Sequence, residues 1–357
     1  MRESVDQDRW RRALLAELDH YAQQASGRRL DSIFFGGGTP SLMPPATVAA
    51  LIERARHHWP DAPGLEVTLE ANPTSVEAAN FAALAEAGVN RVSLGIQALD
   101  DAALKFLGRA HSAREALAAL EIARRHFSRF SFDLIYAWPG HNVAAWEEEL
   151  SQALSLAGEH LSLYQLTIEA NTAFDGAYRR GEFTLPEEET AAALYETTPA
   201  RLAEAGLPAY EISNHARPGA ECRHNLVYWQ GGDYLGVGPG AHGRLTRNGV
   251  RHATRQHRAP EAWLASVEQQ GHATREDRAL SAAERQEELL LMGLRLSAGI
   301  SRRRFRKALG REIEDAIAPS SARPLIDGGF LELDDAGLRA TPAGLQRLNA
   351  VLAALAA

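Results

Sequence analysis

Five short apolar runs alternate with stretches of helical spacing across residues 30–170, and no other feature of the chain narrows its fold so far. Ile33–Phe35, Leu65–Leu69, Arg91–Ile96, Phe132–Tyr136 and Leu161–Ile168 have the β-branched and aromatic character of strands. Helices are predicted between them: Pro45 to about His58, Val76–Ala87, one from Asp100, Ala113–His126 and Trp146–Leu156. Such alternation implies an α/β chain with a parallel sheet and right-handed crossovers, either open or closed toward a (β/α) barrel. A further amphipathic helix is predicted over residues 5–26, ahead of any strand. A chain of this class that opens on a helix is expected to have been cut into.

Polar residues stand just after the strands: Thr39, Glu70, Gln97 and Asp133. Each has an ordinary explanation when taken singly. Glu70 suits a turn or cap before Ala-Asn-Pro, Gln97 and Asp133 suit helix caps, and Arg109 suits the surface. In a barrel, however, these strand ends share one rim, where α/β folds place their sites. The first is preceded by the glycines of S-I-F-F-G-G-G-T-P (Ser32–Pro40). Three glycines do not extend a strand cheaply, so Gly36, Gly37 and Gly38 belong to a loop whose bare backbone suits a ligand or an ordinary turn equally.

The 357 residues carry 45% hydrophobic and 24% charged side chains, which excludes a mainly disordered protein. A formal charge of −8 argues against a nucleic-acid-gripping surface. No apolar run approaches the ~18 residues of a membrane span, and the charged N-terminus is unlike a signal peptide, so a cytoplasmic protein is expected. Cys222 is the only cysteine, which excludes a disulfide framework and any site needing several thiolates from this chain.

Three regions follow: residues 1–170, 171–281 and 282–357. The middle one holds a helix through Leu194–Ala205 and concentrates histidine, asparagine and aromatics in Cys222–Trp229, followed by a glycine-rich run over 234–243. That mixture suits a planar ligand or an axial metal contact, and by chemistry alone slightly better an aromatic-rich structural loop. The last region reads as a helix containing Leu289–Leu296, a basic helix Ser301–Leu309, a helix near Ile313–Ile326 and a small hairpin, a winged-helix pattern. Arg302, Arg303, Arg304, Arg306 and Lys307 read as a solvated basic face rather than a phosphate grip.

F-F-G-G-G-T-P-S-L, L-E-A-N-P, G-V-N-R-V-S-L-G-I-Q, L-G-R-A-H-S, D-L-I-Y-A-W-P-G, L-S-L-Y-Q-L-T-I-E and C-R-H-N-L-V-Y-W, in that order, resemble the HemW haem chaperones. These are relatives of oxygen-independent coproporphyrinogen III oxidase in the radical S-adenosylmethionine (SAM) superfamily. The resemblance implies a partial (β/α) TIM-like barrel of radical SAM type, lacking its first strand, plus a small winged-helix-like C-terminal domain. It implies that Gly36–Thr39, Glu70, Gln97, Arg109 and Asp133 contact SAM. It also implies that His224, Asn225, Tyr228 and Trp229, the H-N-x-x-Y-W motif, handle haem, with His224 as the iron contact. The implied partners are haem and an acceptor protein, such as a membrane-associated respiratory protein, with no nucleic acid and no membrane span.

The family's four-iron, four-sulfur (4Fe-4S) cluster sits on a C-x-x-x-C-x-x-C loop that has no counterpart in this sequence. As written, the chain is not expected to cleave SAM reductively, and truncation is the expected reason. The competing reading is a coproporphyrinogen III dehydrogenase acting by radical decarboxylation, which shares the barrel motifs but not H-N-x-x-Y-W. DNA-binding regulation through the tail rests on fold analogy alone.

Overall fold

The computed structural model describes residues 6–356. Its centre is a six-stranded sheet of β1 (Leu30–Phe35), β2 (Asp61–Ala71), β3 (Arg91–Gln97), β4 (Arg129–Tyr136), β5 (His160–Gln165) and β6 (Asn214–Ala216) in sequence order. The first five are parallel and β6 runs antiparallel to β5. Sequential order with a helix between neighbours curls the sheet into a half-barrel.

The two faces of this sheet differ chemically, as strand alternation requires. Val67, Leu69, Val92, Leu94, Ile96, Phe132, Leu134, Leu161 and Leu163 form one face and pack on the helices as the main core. The other face is polar: Glu66, Thr68 and Glu70 on β2, Arg91 and Ser93 on β3, Ser131 and Asp133 on β4, His160 and Ser162 on β5. Most of these are buried nonetheless, because the middle region covers them.

The predicted strand Leu161–Ile168 ends at Gln165, where its ladder with β4 stops. The predicted helix Val76–Ala87 is two pieces, Ser75–Ala78 and Phe81–Glu86. The helix predicted near Ile313–Ile326 is also two, Ile313–Ala316 and Pro319–Asp327. Pro319 forces Ala318 into an extended backbone and so breaks it.

An unanticipated antiparallel sheet fills the middle region: β7 (His242–Arg247), β8 (Val250–Gln256) and β9 (Thr274–Ala279). Asn248 and Gly249, both at positive φ, make its tight hairpin turn. The N-terminal helix Gln7–Gln24 docks there through buried Glu17, which accepts from the Gly238 and Ala273 N–H groups and from Trp263 Nε1, each at 2.8 Å.

The C-terminal region has its own core around Leu290, Leu294, Ile300, Phe305 and Leu338. Helices Ala282–Gly293, Arg302–Leu309 and Pro319–Asp327 combine with β10 (Ile300–Ser301), β11 (Leu331–Leu333) and β12 (Gly337–Ala340) in a winged-helix-like arrangement. In the basic helix, Arg302 pairs with Glu314 and Arg306 with Glu312, so those two cations are engaged within the protein. Among the described residues, no helix is long and apolar enough to cross a membrane.

Candidate functional site

The glycine loop leaves β1 at the carboxyl end of the sheet, and its three members differ in what holds them to glycine. At Gly36 a Cβ would lie 2.5 Å from Phe34 Cε1, so space demands glycine. Gly37 has φ +119, a conformation that side chains rarely adopt. Gly38 has neither constraint: a Cβ there meets nothing within 4 Å. The chain's own packing gives no reason for Gly38, whereas a ligand pressed against that backbone would.

Two carboxyls stand on the polar face beside the loop, Glu70 on β2 and Asp133 on β4, with β3 between them. Glu70 accepts from the Gly37 N–H at 3.3 Å, and burial raises its pKa while that hydrogen bond opposes the rise. Asp133 is raised to about 6 by burial, with Glu70 adding to the effect and a hydrogen bond from Ser162, then the charges of Arg91 and Arg109, opposing it. Its Oδ1 is buried with no hydrogen-bond partner, and so is the Thr68 hydroxyl on the same face. Orphaned polar atoms of this kind cost free energy until something fills them.

Gln97, the last residue of β3, has φ +76, which is strained for a non-glycine residue. Buried His111 holds the Ile96 carbonyl at 2.9 Å, and Glu149 accepts from the Leu99 N–H at 3.0 Å, fixing both flanks of that turn. Arg109 is exposed, in the loop between helices Asp101–Phe106 and Ala113–His126, and its charge reaches Asp133. Thr39 precedes the short helix Pro40–Leu42 with no side-chain cap bond.

The H-N-x-x-Y-W motif forms the helix Arg223–Trp229, pinned to the sheet by Glu66. Glu66 Oε1 accepts from the Arg223 N–H at 2.9 Å and from Cys222 Sγ at 3.6 Å, while Oε2 takes Arg129 Nη1 at 2.7 Å. This directs His224 onto Phe34, with ring centroids 3.8 Å apart and planes 6° from parallel. Tyr228 meets the same imidazole edge-on at 4.5 Å. Burial, with Arg91 adding to it, lowers His224 to about pKa 4, so the ring is neutral at pH 7. Among the described residues its ring nitrogens have no hydrogen-bond partner.

The motif's other members point elsewhere. Asn225 donates to the Tyr210 hydroxyl at 3.3 Å, which in turn meets His160 Nε2 at 3.0 Å. Trp229 lies beneath the Arg295 guanidinium, 4.7 Å from its ring, and faces the C-terminal region. The structure thus gathers Gly36, Gly37, Glu70 and His224 around Phe34, with Asp133 and Arg109 in electrostatic reach. Phe34, Glu66, Thr68 and Arg91 escaped the sequence reading. The alternation Leu65-Glu66-Val67-Thr68-Leu69-Glu70 carried the signal for two of them.

This fold and rim define a protein of the radical SAM class: a family model described as Radical SAM superfamily matches residues 3–153, and one described as HemN C-terminal domain matches 280–347. "Radical S-adenosyl methionine domain-containing protein 1, mitochondrial" of Bos taurus is 43% identical over 98% of the chain and 81% of its own length. "Heme chaperone HemW" is 36% identical in Escherichia coli (93% of the chain, 85% of that protein) and 33% in Bacillus subtilis (97% and 91%). The chain belongs to the HemW family. The solved structure of the coproporphyrinogen III oxidase HemN from Escherichia coli, described as a radical SAM enzyme, superposes with a TM-score of 0.78. It covers 99% of the chain and 84% of HemN at 20% identity, a likeness of fold.

The family implies SAM and a 4Fe-4S cluster. The residues fit the first: an orphaned carboxyl oxygen, a second carboxyl, an arginine and open glycine backbone match a ligand with an ammonium, a carboxylate and a ribose diol. They do not fit the second. Cys222 is the one cysteine and is engaged with Glu66, and among the described residues no group of three His, Cys, Asp or Glu is placed to hold a metal ion.

Proposed function

We propose that this protein binds haem with His224 as an axial ligand to the iron and passes it to an acceptor protein, while the glycine loop and strand ends bind SAM beside it. The observation that carries the reading is the state of His224. Its imidazole is neutral, is held by ring contacts, and keeps a ring nitrogen free to ligate iron. The names of the bacterial relatives as haem chaperones support it.

At the neighbouring site Glu70 would take the SAM ammonium, Arg109 its carboxylate and Asp133 its ribose diol, with Gln97 and the backbone of Gly36–Thr39 completing the cradle. When bound, SAM would supply an electrophilic sulfonium centre to the site. The test is a hemin titration of the full chain followed at the Soret band. His224→Ala is expected to weaken binding by about tenfold or more and to remove the histidine-ligated spectrum. Unchanged affinity and spectrum would show that another residue holds the iron.

A further inference from the structure

The glycine loop and the haem-side histidine meet through one ring. Phe34 lies between them: one face stacks on His224, and its edge fills the space where a Gly36 side chain would be. We infer that Phe34 is a positioning residue that orients His224 toward the iron and transmits displacement of the glycine loop to it. The inference rests on the haem-binding reading above and adds the element that joins its two ligands.

Metal-binding histidines are normally oriented by a hydrogen bond from the second ring nitrogen. His224 has none among the described residues, so two aromatic contacts replace it, and the closer of them is parallel. Parallel contact at 3.8 Å fixes the tilt of the imidazole without engaging either ring nitrogen.

Phe34 has little room to yield. Its backbone is paired in the ladder opposite Thr68, on the edge strand that packs under the motif helix. On the loop side, a Gly36 Cβ would sit 2.5 Å and 3.0 Å from two atoms of the ring, and 3.3 Å from Glu70 Oε2. Gly36 is not among the positive-φ glycines, so alanine there is opposed by space and not by backbone conformation. A ligand that moves this loop toward the ring therefore pushes the ring along its contact with His224. The same geometry makes Gly36→Ala a mechanical stand-in for that push.

A double-mutant cycle tests this on the full chain, with hemin as the probe and the Soret band and the electron paramagnetic resonance signal of the ferric haem as readouts. Gly36→Ala is expected to weaken hemin binding about tenfold and to broaden the ferric signal, although residue 36 carries no iron ligand. Phe34→Leu should do the same, and the double variant should be no worse than either single one. Phe34→Tyr, which keeps the ring, should restore the parent signal and controls for folding together with thermal unfolding of each variant.

Effects that multiply in the double variant, or a parent-like signal in Phe34→Leu, would overturn the coupling. Loss of the haem reading itself looks different: His224→Ala would then match the parent, whatever the Phe34 variants do.

Discussion

Glu66 and Glu70 stand four residues apart on the same face of β2, and the protein treats them oppositely. Glu66, at the base, has both oxygens engaged by an arginine, the main chain of a helix start and a thiol. Glu70, at the rim, receives one long backbone hydrogen bond. Glu17, between the N-terminal helix and the middle region, resembles Glu66, with three donors at 2.8 Å. Asp133 resembles Glu70, with a buried oxygen that nothing meets. Burial alone does not separate a structural carboxylate from a ligand-binding one. Saturation does: Glu66 and Glu17 are completed by their own chain, whereas Glu70 and Asp133 keep capacity for the ligand proposed for this face.

The largest test of that contrast is Glu66→Ala. It removes the counter-ion of Arg129 and the main-chain anchor of the motif helix, so a loss of about 3 kcal/mol is expected by urea denaturation. Glu70→Ala should cost about 1 kcal/mol or less, since it removes one long hydrogen bond. Equal costs would erase the distinction.

Asp133→Asn should move stability in the other direction. A carboxyl raised from 3.8 to about 6 holds more protons in the native than in the unfolded state between those values. Its favourable contribution is therefore complete below about pH 3.8 and is lost as pH rises through 6. The asparagine variant removes that loss and is expected to be more stable than the parent at pH 8, by up to about 3 kcal/mol, and equal to it near pH 4. Thermal unfolding at the two pH values checks the sign. A variant less stable at pH 8 would mean that the charged form is well satisfied in the native protein.

The rim was legible in part: the glycines end β1 and Gln97 closes β3, whereas Glu70 and Asp133 lie within β2 and β4 and not after them. The base was not. Reading strands as apolar runs kept Val67 and Leu69 and passed over Glu66 and Thr68 between them, although the alternation puts those two on the face of Glu70. The Phe34–His224 stack joins residues from opposite ends of the half-barrel's chain, and no local pattern announces such a pair. The sheet β7–β8–β9 was missed for another reason. Its strands are rich in arginine and its outer strand is largely exposed, so no apolar run marks it, while the Asn248-Gly249 turn signal stood in plain view.

Gly38 gives the smallest expected effect on stability and separates fold from function most cleanly. A methyl group there meets open space and the backbone is outside the left-handed region, so Gly38→Ala should change unfolding free energy by less than about 0.5 kcal/mol. If the loop backbone is where SAM lies, the same methyl should weaken SAM binding about tenfold by calorimetric titration, because the ligand would occupy the space that the protein leaves empty. Gly37→Ala cannot make this separation, since φ +119 strains the loop itself. A Gly38→Ala protein that is both stable and normal in SAM binding would move the ligand off this loop, and with it the reason that Glu70 and Asp133 stay incomplete.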